Sequence, residues 1–525
     1  MSKTFVELLN ALPSDDQIAL HGDGDTLITA PVAESSLDVK SGGVFVAQEG
    51  LTTDGHQYIP QAIKAGAAAI VGQQDISNLP VPYVQVKDSR QALGQLATAY
   101  HDFPSRKLTV VGVTGTDGKT TTSTFIHSIL KLATDGKAGY ISTIAADLGD
   151  AETDTGLHVT TPTAPEIQGY LAQMVDNGLT HCVLEMTSHG LAQGRLNGVD
   201  IDIAVLTNVT HEHLDYHGSW EAYRDAKAIM FQMLEPSYKK PNQPKVSIIN
   251  ADDPSADFFA AIPADTVLRY GINQKHTSVR ARHASALMPP TLHAKSIQYK
   301  PNGTHFFVDE TPYTLNLIGG FNVLNALAAI AVGDTLNLPI ETVQRGVAAV
   351  LSLSGRMQRI DEGQNFTAIV DFAHTPNALK NALLACRPML PEGKRLIAIF
   401  GSAGLRDVEK RRMMAEVSAE YADFTVLTAE DPRTESLDDI LQMMADGCIS
   451  KGGVESETFI RVSDRGEAIY RACQMAKPGD IVIACGKGHE QSMCFGTVEH
   501  PWDDREAMRA ALRGTPLKTL PTAQK

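Results

Sequence analysis

The segment KLTVVGVTG, at positions 107–115, constrains the fold of this chain more than any other feature. Its apolar run predicts a buried strand that ends in a glycine turn, and the residues after the loop, TTTSTFIHSILKL, predict a helix with one apolar face. The connecting loop reads Gly115-Thr116-Asp117-Gly118-Lys119-Thr120-Thr121. Glycines let backbone N–H groups close on phosphate oxygens, and a lysine neutralises their charge. The segment therefore predicts a nucleotide-phosphate site in which Thr120 reaches a magnesium ion.

This loop departs from the common pattern GxxxxGK(S/T), because Val113 stands five positions before Gly118 and the other glycines are at positions 112 and 115. A tight turn with an exposed lysine is the alternative interpretation. Such a turn would need neither the buried strand before it nor the hydroxyl group after Lys119. Kinases and nucleotide switches also use phosphate loops, so the loop alone does not identify the reaction.

Length and composition indicate a soluble protein of several domains. At about 100–200 residues per domain, 525 residues predict three. The formal charge of −16 opposes non-specific binding to nucleic acid or to an anionic membrane. The first residues show no basic and apolar leader, no apolar stretch reaches the about 18–20 residues of a membrane span, and the six cysteines form no CxxC pair. We therefore expect a cytoplasmic protein.

Strand-like and helical segments alternate along the chain, which predicts an α/β fold. Residues 1–105 predict a small α/β domain, and residues 106–352 predict a central P-loop ATPase-like domain with a parallel sheet. The pattern then restarts with FTAIVDFAH, LIAIFGS, ADFTVLTAE and DIVIACGKG, so residues 353–525 predict a Rossmann-like, doubly wound domain. Ligands of such sheets bind beyond the carboxyl ends of the strands, where these polar turns lie.

Two segments that follow predicted strands carry candidate metal ligands. HCVLEMTSHG supplies Glu185, and NVTHEHLDYHG contains His211, Glu212, His213, Asp215 and His217. A turn in solvent rarely carries so many ligand side chains, so we expect one or two of the five to face the site and the others to cap a helix or contact water. From its local context alone, EAYRDAKAIMF, Lys227 would be a surface lysine.

Ten segments, in this order along the chain, resemble the motifs of the Mur ligase family: GTDGKTT, EMTSHGL, THEHLDYHG, AKAIMF, NADD, GGFNVLNALAA, SGRMQRID, DFAHTPNAL, FGSAGLRDVEKRR and GKGHE. The resemblance covers nearly the whole chain. Within the family, EMTSHGLAQGR and GKGHE are most similar to the branch that adds the third, diamino residue to UDP-N-acetylmuramoyl-L-alanyl-D-glutamate. The resemblance implies an ATP-dependent amide-bond ligase of peptidoglycan precursor synthesis.

The resemblance also implies roles for individual residues. Gly115, Gly118, Lys119 and Thr120 would hold the ATP phosphates, and Glu185 and His213 would bind Mg²⁺. Lys227 would be carbamylated and would support Mg²⁺, a modification that requires a neutral lysine, which burial can supply. Further nucleotide contacts would come from Asn322, Asn325, Arg356, Asp371 and His374.

For the two other substrates the resemblance implies separate sets of residues. The muramoyl dipeptide would contact Thr160, Thr161, Thr187, Gln193 and Arg195, and its uridine end would contact Ser35. The incoming diamino acid would meet Arg411, Glu430, Asp431, Pro432, Arg433, Gly486 and Glu490. Hydroxyl, amide and guanidinium groups suit a diphosphate sugar and a carboxylated peptide. We expect the enzyme to be a monomer.

The chain departs from the family pattern at the amino-acid turn. Relatives that use meso-diaminopimelate usually read Asp-Asn-Pro-Arg, and this chain keeps Arg433 but carries Asp431 in place of the amide. Arg433 favours a ligand with a distal carboxylate, whereas Asp431 could attract the distal ammonium of L-lysine or L-ornithine. Diaminopimelate is the favoured substrate. At the uridine site, Glu34-Ser35-Ser36 replaces the usual Asp-Ser-Arg.

The expected reaction begins when ATP phosphorylates the γ-carboxylate of the D-glutamyl residue, with two Mg²⁺ ions and Lys119 offsetting the charge. The amine of the third amino acid then attacks the acyl phosphate. Two alternatives remain open in the sequence: another Mur-type or folylpolyglutamate-type ligase, and a nucleotide-dependent regulator without ligase activity.

Overall fold

The computed structural model describes residues 2–50, 53–142, 146–150, 152–153, 161–210, 214–272, 291–300, 303–317 and 319–524. The chain divides into two compact units. The first unit comprises Met1–Val209, Glu221–Thr291 and Ala328–Thr342, and the second comprises Thr210–Trp220, Leu292–Leu327 and Val343–Lys525. The three-domain boundaries at residues 105 and 352 stay a prediction.

The N-terminal part of the first unit is a small α/β sheet. Its elements are β1 (Lys3–Thr4), α1 (Phe5–Leu9), β2 (Gln17–His21), β3 (Leu27–Ile28), β4 (Val32–Ala33), β5 (Val44–Val46), α2 (Ile59–Lys64), β6 (Ala69–Gly72), β7 (Tyr83–Val86) and α3 (Ser89–Tyr100). The strand order is β2-β7-β6-β5-β4, with only β2 antiparallel to its neighbour. Two hydrophobic clusters cover the sheet, one with Leu93 and Leu96 of α3 and the other with Ile59 and Ala62 of α2.

The larger sheet of the first unit carries the phosphate loop. Its elements are β8 (Thr109–Thr114), α4 (Lys119–Ala133), β9 (Ala138–Ile141), β10 (Ala146–Asp147), β11 (Glu152–Thr153), α5 (Ala164–Asp176), β12 (His181–Glu185), α6 (Ser188–Ala192), β13 (Ile203–Leu206), α7 (Leu214–His217, in the second unit), α8 (Trp220–Gln232), β14 (Val246–Asn250), α9 (Ala256–Ala260) and β15 (Thr266–Gly271). Strands β9-β12-β8-β13-β14-β15 are parallel, in that order. Strand β8 lies inside this sheet, between β12 and β13, and its Val110, Val111 and Val113 are fully buried.

An antiparallel meander and two helices follow in the chain. They are β16 (Thr291–Lys300), β17 (Gly303–Val308), β18 (Thr311–Leu315), α10 (Gly320–Thr335) and α11 (Ile340–Ala349). Tyr313 of β18 stacks on Phe306 of β17, with ring centroids 5.6 Å apart. Helix α10 is largely apolar and most of its residues are buried.

The C-terminal part of the second unit is a doubly wound sheet. Its elements are β19 (Gln358–Ile360), β20 (Thr367–Asp371), α12 (Pro376–Cys386), β21 (Leu396–Phe400), α13 (Glu409–Tyr421), β22 (Phe424–Leu427), α14 (Leu437–Ser450), β23 (Phe459–Arg461), α15 (Arg465–Met475), β24 (Ile481–Cys485), β25 (Ser492–Phe495), β26 (Val498–Pro501) and α16 (Asp504–Leu512). The strand order is β19-β20-β24-β21-β22-β23, and only β19 is antiparallel. The predicted α/β fold is confirmed.

Alternate residues of β24 show how this sheet is covered. Ile481 and Ile483 pack with helices α12 to α14, whereas Val482 and Ala484 pack with α15 and α16. A strand buried on both faces leaves its carboxyl end as the place where polar residues meet a ligand. All six cysteines are free and buried. Within the part of the chain that the structure describes, no helix combines the length and apolarity of a membrane span.

Candidate active site

The phosphate loop joins β8 to α4, as its residues predicted. Gly115 and Gly118 have φ values of 152° and 82°, and a Cβ atom at Gly115 would lie 1.8 Å from the hydroxyl oxygen of Thr207. Lys119 Nζ donates to the Thr116 carbonyl at 2.9 Å, and the Asp117 amide donates to Asn208 Oδ1 at 2.9 Å. The loop is thus closed against the residues that follow β13, and glycine is required where the two backbones meet.

Glu185 lies against the first turn of α4. Strands β8 and β12 are parallel neighbours with Val113 opposite Glu185, so the carboxyl end of β12 reaches the phosphate loop. Thr120 Oγ1 donates to the Glu185 carboxylate, at 2.9 Å from Oε2 and 3.1 Å from Oε1, and both residues are buried. A carboxylate and a hydroxyl group are oxygen ligands of the kind that Mg²⁺ prefers, so this pair fits a divalent cation beside a nucleotide.

Lys227 is 1% exposed, so the surface position that its local context favoured is wrong. It lies on α8 and its Nζ donates to the carbonyl of Gly115 at 2.8 Å. The same Nζ lies 4.1 Å from the centroid of the Tyr223 ring, and the Tyr223 hydroxyl contacts Thr116 Oγ1 at 3.0 Å. Helix α8 therefore places two side chains directly on the phosphate loop. Thr121, also assigned to the loop, is buried.

Several predicted residues cannot be placed in this site. His213 and Thr160 lie outside the described residues, as do His211 and Glu212. His217 ends the short helix α7, where its ring contacts that of Tyr216.

The residues assigned to the muramoyl dipeptide begin two positions after Glu185. Thr187 caps α6 by accepting a hydrogen bond from the Gly190 amide, and its hydroxyl oxygen lies 2.9 Å from that of Thr161. Arg195 Nη1 donates to the Thr161 carbonyl at 2.6 Å, and Gln193 is the C-cap residue of α6. These four residues form one cluster around α6, which we call the α6 cluster.

The uridine segment contains a carboxyl group with a shifted pKa. Desolvation raises the pKa of Glu34, and the positive charge of Arg195 opposes that rise. Gln48 Nε2 donates to the Glu34 carboxylate at 3.3 Å. Ser35 is partly exposed, and its Oγ accepts a hydrogen bond from the Leu37 amide at 3.2 Å.

The second unit brings together the other predicted nucleotide contacts in two places. On α10, Asn325 Nδ2 donates to Asn322 Oδ1 at 3.0 Å, and both residues are buried. At the end of β20, the Asp371 carboxylate accepts the Met357 and Ala373 amides at 2.6 and 2.8 Å.

Aromatic contacts complete that second place. The Arg356 guanidinium lies 4.4 Å from the centroid of the Phe372 ring, and His374 Nδ1 lies 3.0 Å from the Phe372 carbonyl. The ring of His489, from the GKGHE segment, also contacts Phe372, with centroids 5.0 Å apart. Burial, together with the charges of Arg356 and Arg505, lowers the pKa of His489 to about 3. A neutral His489 can therefore pack beside Arg356.

The predicted amino-acid residues meet at the carboxyl ends of β22 and β24. Lys487 Nζ lies 3.0 and 3.1 Å from the two Asp431 carboxylate oxygens and 2.6 Å from Glu490 Oε2. Burial lowers the pKa of Lys487, but the Glu490 and Asp431 carboxylates outweigh it and the net shift is upward. Lys487 is a residue that the sequence analysis missed, although it stands between Gly486 and Glu490 in the same motif.

Arg433 is held through its backbone. Its amide donates to the Cys494 carbonyl at 3.1 Å, its carbonyl accepts from the Gly496 amide at 2.8 Å, and its φ is 52°. The guanidinium group donates to the Gly404 carbonyl at 3.5 Å and, among the described residues, forms no ion pair. Its charge is therefore available to a carboxylate ligand. Pro432, between Asp431 and Arg433, is buried in the same turn.

Two buried charges flank this turn. Arg411, on α13, is 1% exposed and pairs with Glu435 at 2.8 Å. Glu430 is buried, and its Oε2 has no hydrogen-bond partner among the described residues. A Cβ atom at Gly486 would lie 2.0 Å from that oxygen, so glycine is required where β24 passes the carboxylate. Burial raises the pKa of Glu430 to about 7, although Arg465, Lys410 and Lys487 oppose the rise.

Comparison with known proteins finds three matched segments in this chain. Residues 33–101 match the model described as "Mur ligase family, catalytic domain", residues 113–333 match "Mur ligase middle domain", and residues 355–488 match "Mur ligase, glutamate ligase domain". These three ranges contain the phosphate loop, the α6 cluster and the amino-acid turn.

Two relatives illustrate the similarity in sequence. A UDP-N-acetylmuramyl-tripeptide synthetase of Roseiflexus sp. is 40% identical, over 92% of this chain and 94% of its own length. A UDP-N-acetylmuramoyl-L-alanyl-D-glutamate--2,6-diaminopimelate ligase of Geobacillus kaustophilus is 38% identical, over 97% of this chain and 99% of its own length. A solved structure described by the same ligase name is 28% identical, covers 98% of this chain and 99% of its own, and has a TM-score of 0.66.

Proposed function

This chain belongs to the Mur ligase family, whose members are ATP-dependent peptide ligases, and we propose that it joins meso-2,6-diaminopimelate to the D-glutamyl residue of UDP-N-acetylmuramoyl-L-alanyl-D-glutamate. The carboxyl end of β12 carries the proposal. Glu185 there contacts Thr120 of the phosphate loop, and Thr187, two residues later, contacts Thr161 of the α6 cluster. At this strand end, a residue of the candidate nucleotide site and a residue of the candidate site for the substrate carboxylate are two positions apart in the chain.

In the proposed reaction, the γ-phosphoryl group of ATP passes to the γ-carboxylate of the dipeptide. The bond between this group and ADP breaks, and ADP leaves. Lys119 and the backbone N–H groups of the loop offset the negative charge as the two anions approach. The amine of the diamino acid then attacks the acyl carbon, phosphate leaves, and the amine proton passes to solvent. Thr161, Thr187 and Arg195 orient the substrate carboxylate.

Magnesium is part of the proposal. Thr120 and Glu185 would hold the ion, with His213 added by family resemblance, and when bound it would neutralise charge on the phosphate oxygens. The buried pair of a hydroxyl group and a carboxylate in contact supports this assignment.

We also propose that Lys227 is carbamylated. Its ε-amine would add to carbon dioxide, which forms an N–C bond and releases one proton to solvent. The burial of Lys227 favours the neutral amine that the modification requires, and the position of Nζ on the Gly115 carbonyl would let a carbamate support a Mg²⁺ ion beside the phosphate loop. NMR of the native enzyme in isotope-labelled bicarbonate tests it: a carbamate signal that Lys227→Arg removes is expected, and no such signal in the active enzyme would rule the modification out.

The choice of diaminopimelate over lysine rests on Lys487. An unpaired Asp431 would attract a distal ammonium group, but Lys487 contacts both of its carboxylate oxygens. Arg433 forms no ion pair among the described residues and remains the cation that a distal carboxylate can reach. A turn with a neutralised acid and an unpaired guanidinium group favours a ligand that ends in a carboxylate.

The test is phosphate release by purified protein with ATP, Mg²⁺ and UDP-N-acetylmuramoyl-L-alanyl-D-glutamate, with meso-diaminopimelate, L-lysine and L-ornithine offered separately. Turnover with diaminopimelate alone is the expected result. Turnover with lysine or ornithine instead would mean that Asp431 recognises an ammonium group despite Lys487. If none of the three amino acids supports phosphate release, the proposed reaction is rejected.

We propose a cytoplasmic monomer of three domains, bounded near residues 105 and 352. The requirement for ATP and the six free, buried cysteines support the cytoplasm. The three separately matched segments support the domain boundaries. Size-exclusion chromatography with light scattering tests the monomer.

A further inference from the structure

Arg465 and Asp504 form a fully buried ion pair in the C-terminal sheet. Each is the first residue of its helix, α15 and α16, and each has a side chain that is 0% exposed. Arg465 Nε donates to Asp504 Oδ1 and Nη2 donates to Oδ2, both at 2.7 Å, so the contact is bidentate. The indole Nε1 of Trp502 donates to Asp504 Oδ1 at 2.8 Å. The carboxylate therefore fixes the plane of the guanidinium group.

The same guanidinium group donates to two backbone carbonyls, one just after β22 and one at the end of β24. Nη1 donates to the Ala429 carbonyl at 3.1 Å, and Nη2 donates to the Cys485 carbonyl at 2.8 Å. Ala429 directly precedes the turn with Asp431 and Arg433, and Cys485 directly precedes Gly486 and the rest of the GKGHE segment. One side chain thus holds the backbone just before both loops that carry the predicted amino-acid contacts.

These two strands are not neighbours in the sheet. The order is β24-β21-β22, so β21 lies between the strands that end at Cys485 and at Leu427. Ladder hydrogen bonds join each strand to β21 but do not join β22 to β24. The separation of the two loops is consequently determined by β21, by the Arg465 bridge at the carboxyl ends and, beyond it, by the contact of Lys487 with Asp431.

We propose that Arg465, held by Asp504, is a positioning residue that sets the spacing between the Asp431–Arg433 turn and the Gly486–Glu490 loop. This inference rests on the proposed function, because those two loops are taken to bind the incoming amino acid. Loss of the bridge then weakens binding of the diamino acid while leaving ATP binding largely unchanged. An ion pair that only supports the fold would not distinguish the two substrates.

Asp480 provides a matched control in the same sheet. It directly precedes β24, at the amino end, and pairs with Arg395 at 3.0 Å while its side chain is 2% exposed. Asp504→Asn and Asp480→Asn each neutralise a buried carboxylate that pairs with an arginine, at opposite ends of the strands. They differ in whether the pair contacts the loops.

The experiment measures steady-state phosphate release by the full-length chain, with ATP, the diamino acid and the dipeptide substrate varied in turn. Asp504→Asn should raise KM for the diamino acid about tenfold, as small misplacements of binding groups do, and change KM for ATP by less than about twofold. Asp480→Asn should leave both KM values within about twofold. Equal effects of the two variants, or equal effects of Asp504→Asn on both substrates, would overturn the proposal.

A second variant covers the case in which Asp504→Asn does not fold. Arg465→Met combined with Asp504→Leu replaces a buried ion pair with apolar side chains, which proteins often tolerate. Circular dichroism should show a folded chain, and KM for the diamino acid should again rise selectively; an unchanged KM would count against the bridge. If the wild-type chain fails to release phosphate with every diamino acid offered, the proposed function fails. That outcome is separate from any result with the variants.

A pH profile adds a readout that a purely structural role would not move. Glu430 faces Arg465, Lys410, Lys487 and Asp431, and the charge of Arg465 is the largest influence that opposes its raised pKa. Arg465→Met with Asp504→Leu should therefore shift the pH midpoint of KM for the diamino acid upward. A midpoint that stays in place would mean that the bridge does not act on the turn.

Discussion

Lys487 Nζ lies between two carboxylates, 3.0 Å from Asp431 Oδ2 and 2.6 Å from Glu490 Oε2. Lys487 comes from the loop after β24 and Asp431 from the turn after β22, so the contact joins the two segments to which amino-acid selection is assigned. The acid that replaces the usual amide in this turn is thus balanced by a cation of the same chain. Under the proposed function, we expect selection of the third residue to depend on this balance.

The first prediction is that Lys487→Met moves selectivity toward L-lysine. Without the ammonium group, Asp431 and Glu490 become an unbalanced pair of anions, which repels the distal carboxylate of diaminopimelate, a group that L-lysine lacks. The ratio of kcat/KM for diaminopimelate to kcat/KM for lysine should fall about tenfold, which corresponds to about 1.4 kcal/mol. Competition assays measure the ratio. Lys451→Met, at an exposed position of the same unit, should leave it unchanged, and an unchanged ratio in Lys487→Met would show that Asp431 does not face the ligand.

The second prediction concerns Glu185 and Thr120. Glu185→Gln keeps the hydrogen bond from Thr120 but removes the anionic ligand, so the Mg²⁺ concentration at half-maximal activity should rise about 10–100-fold. Titration of activity with Mg²⁺ measures it. Thr124→Val is the control, since Thr124 lies one turn further along α4 and its hydroxyl group donates to the Thr120 carbonyl. If Glu185→Gln and wild type show equal dependence on Mg²⁺, Glu185 does not bind the ion.

The third prediction is that Lys227→Arg nearly abolishes turnover. Arginine keeps a positive charge at this position but cannot form a carbamate, so the reaction should slow about 100-fold or more, the usual cost of losing one preorganised electrostatic group. Lys239→Arg, at an exposed position of the same unit, should retain full activity. Rates within a factor of about two of wild type in Lys227→Arg would contradict a carbamate at this residue.

The fourth prediction follows from the pKa of Glu430, which burial raises from 4.5 to about 7. A carboxyl group with a raised folded-state pKa binds more protons in the native state, so its contribution to stability is greatest at low pH and is lost as pH rises through that range. The difference in free energy of unfolding between Glu430→Gln and wild type (variant minus wild type) should increase by about 2 kcal/mol from about pH 5 to about pH 7.5.

Urea unfolding at the two pH values tests this prediction. Glu392→Gln, at an exposed position of the same unit, should show no such increase. A difference between Glu430→Gln and wild type that does not change with pH would mean that Glu430 is ionised throughout the range.

Much of the phosphate site could be predicted from local pattern. The segment from 107 to 132 specifies a strand, a glycine loop and a helix within one continuous stretch, and the structure has β8 at Thr109–Thr114 and α4 at Lys119–Ala133. Glycine conformation and apolar periodicity are properties of neighbouring residues, so they can be recognised without tertiary structure.

The contacts that cross the fold could not be predicted in that way. Lys227 lies on a helix whose pattern is compatible with solvent, and only the packing of α8 on the phosphate loop buries it. Arg465 is 36 residues from Ala429 and 20 from Cys485, and its role depends on a sheet order in which β24 enters beside β21. Topology, rather than local propensity, determines such partners.

The assigned amino-acid contacts, from Arg411 to Glu490, lie within one continuous stretch of the second unit, whereas the phosphate loop and the α6 cluster lie in the first. A chimera that exchanges only that stretch with a relative of different preference would inherit a new third residue while keeping its own activation chemistry. In evolution, replacement of this stretch alone would change the third residue of the wall peptide between lineages. The part of the chain that binds ATP would not need to change.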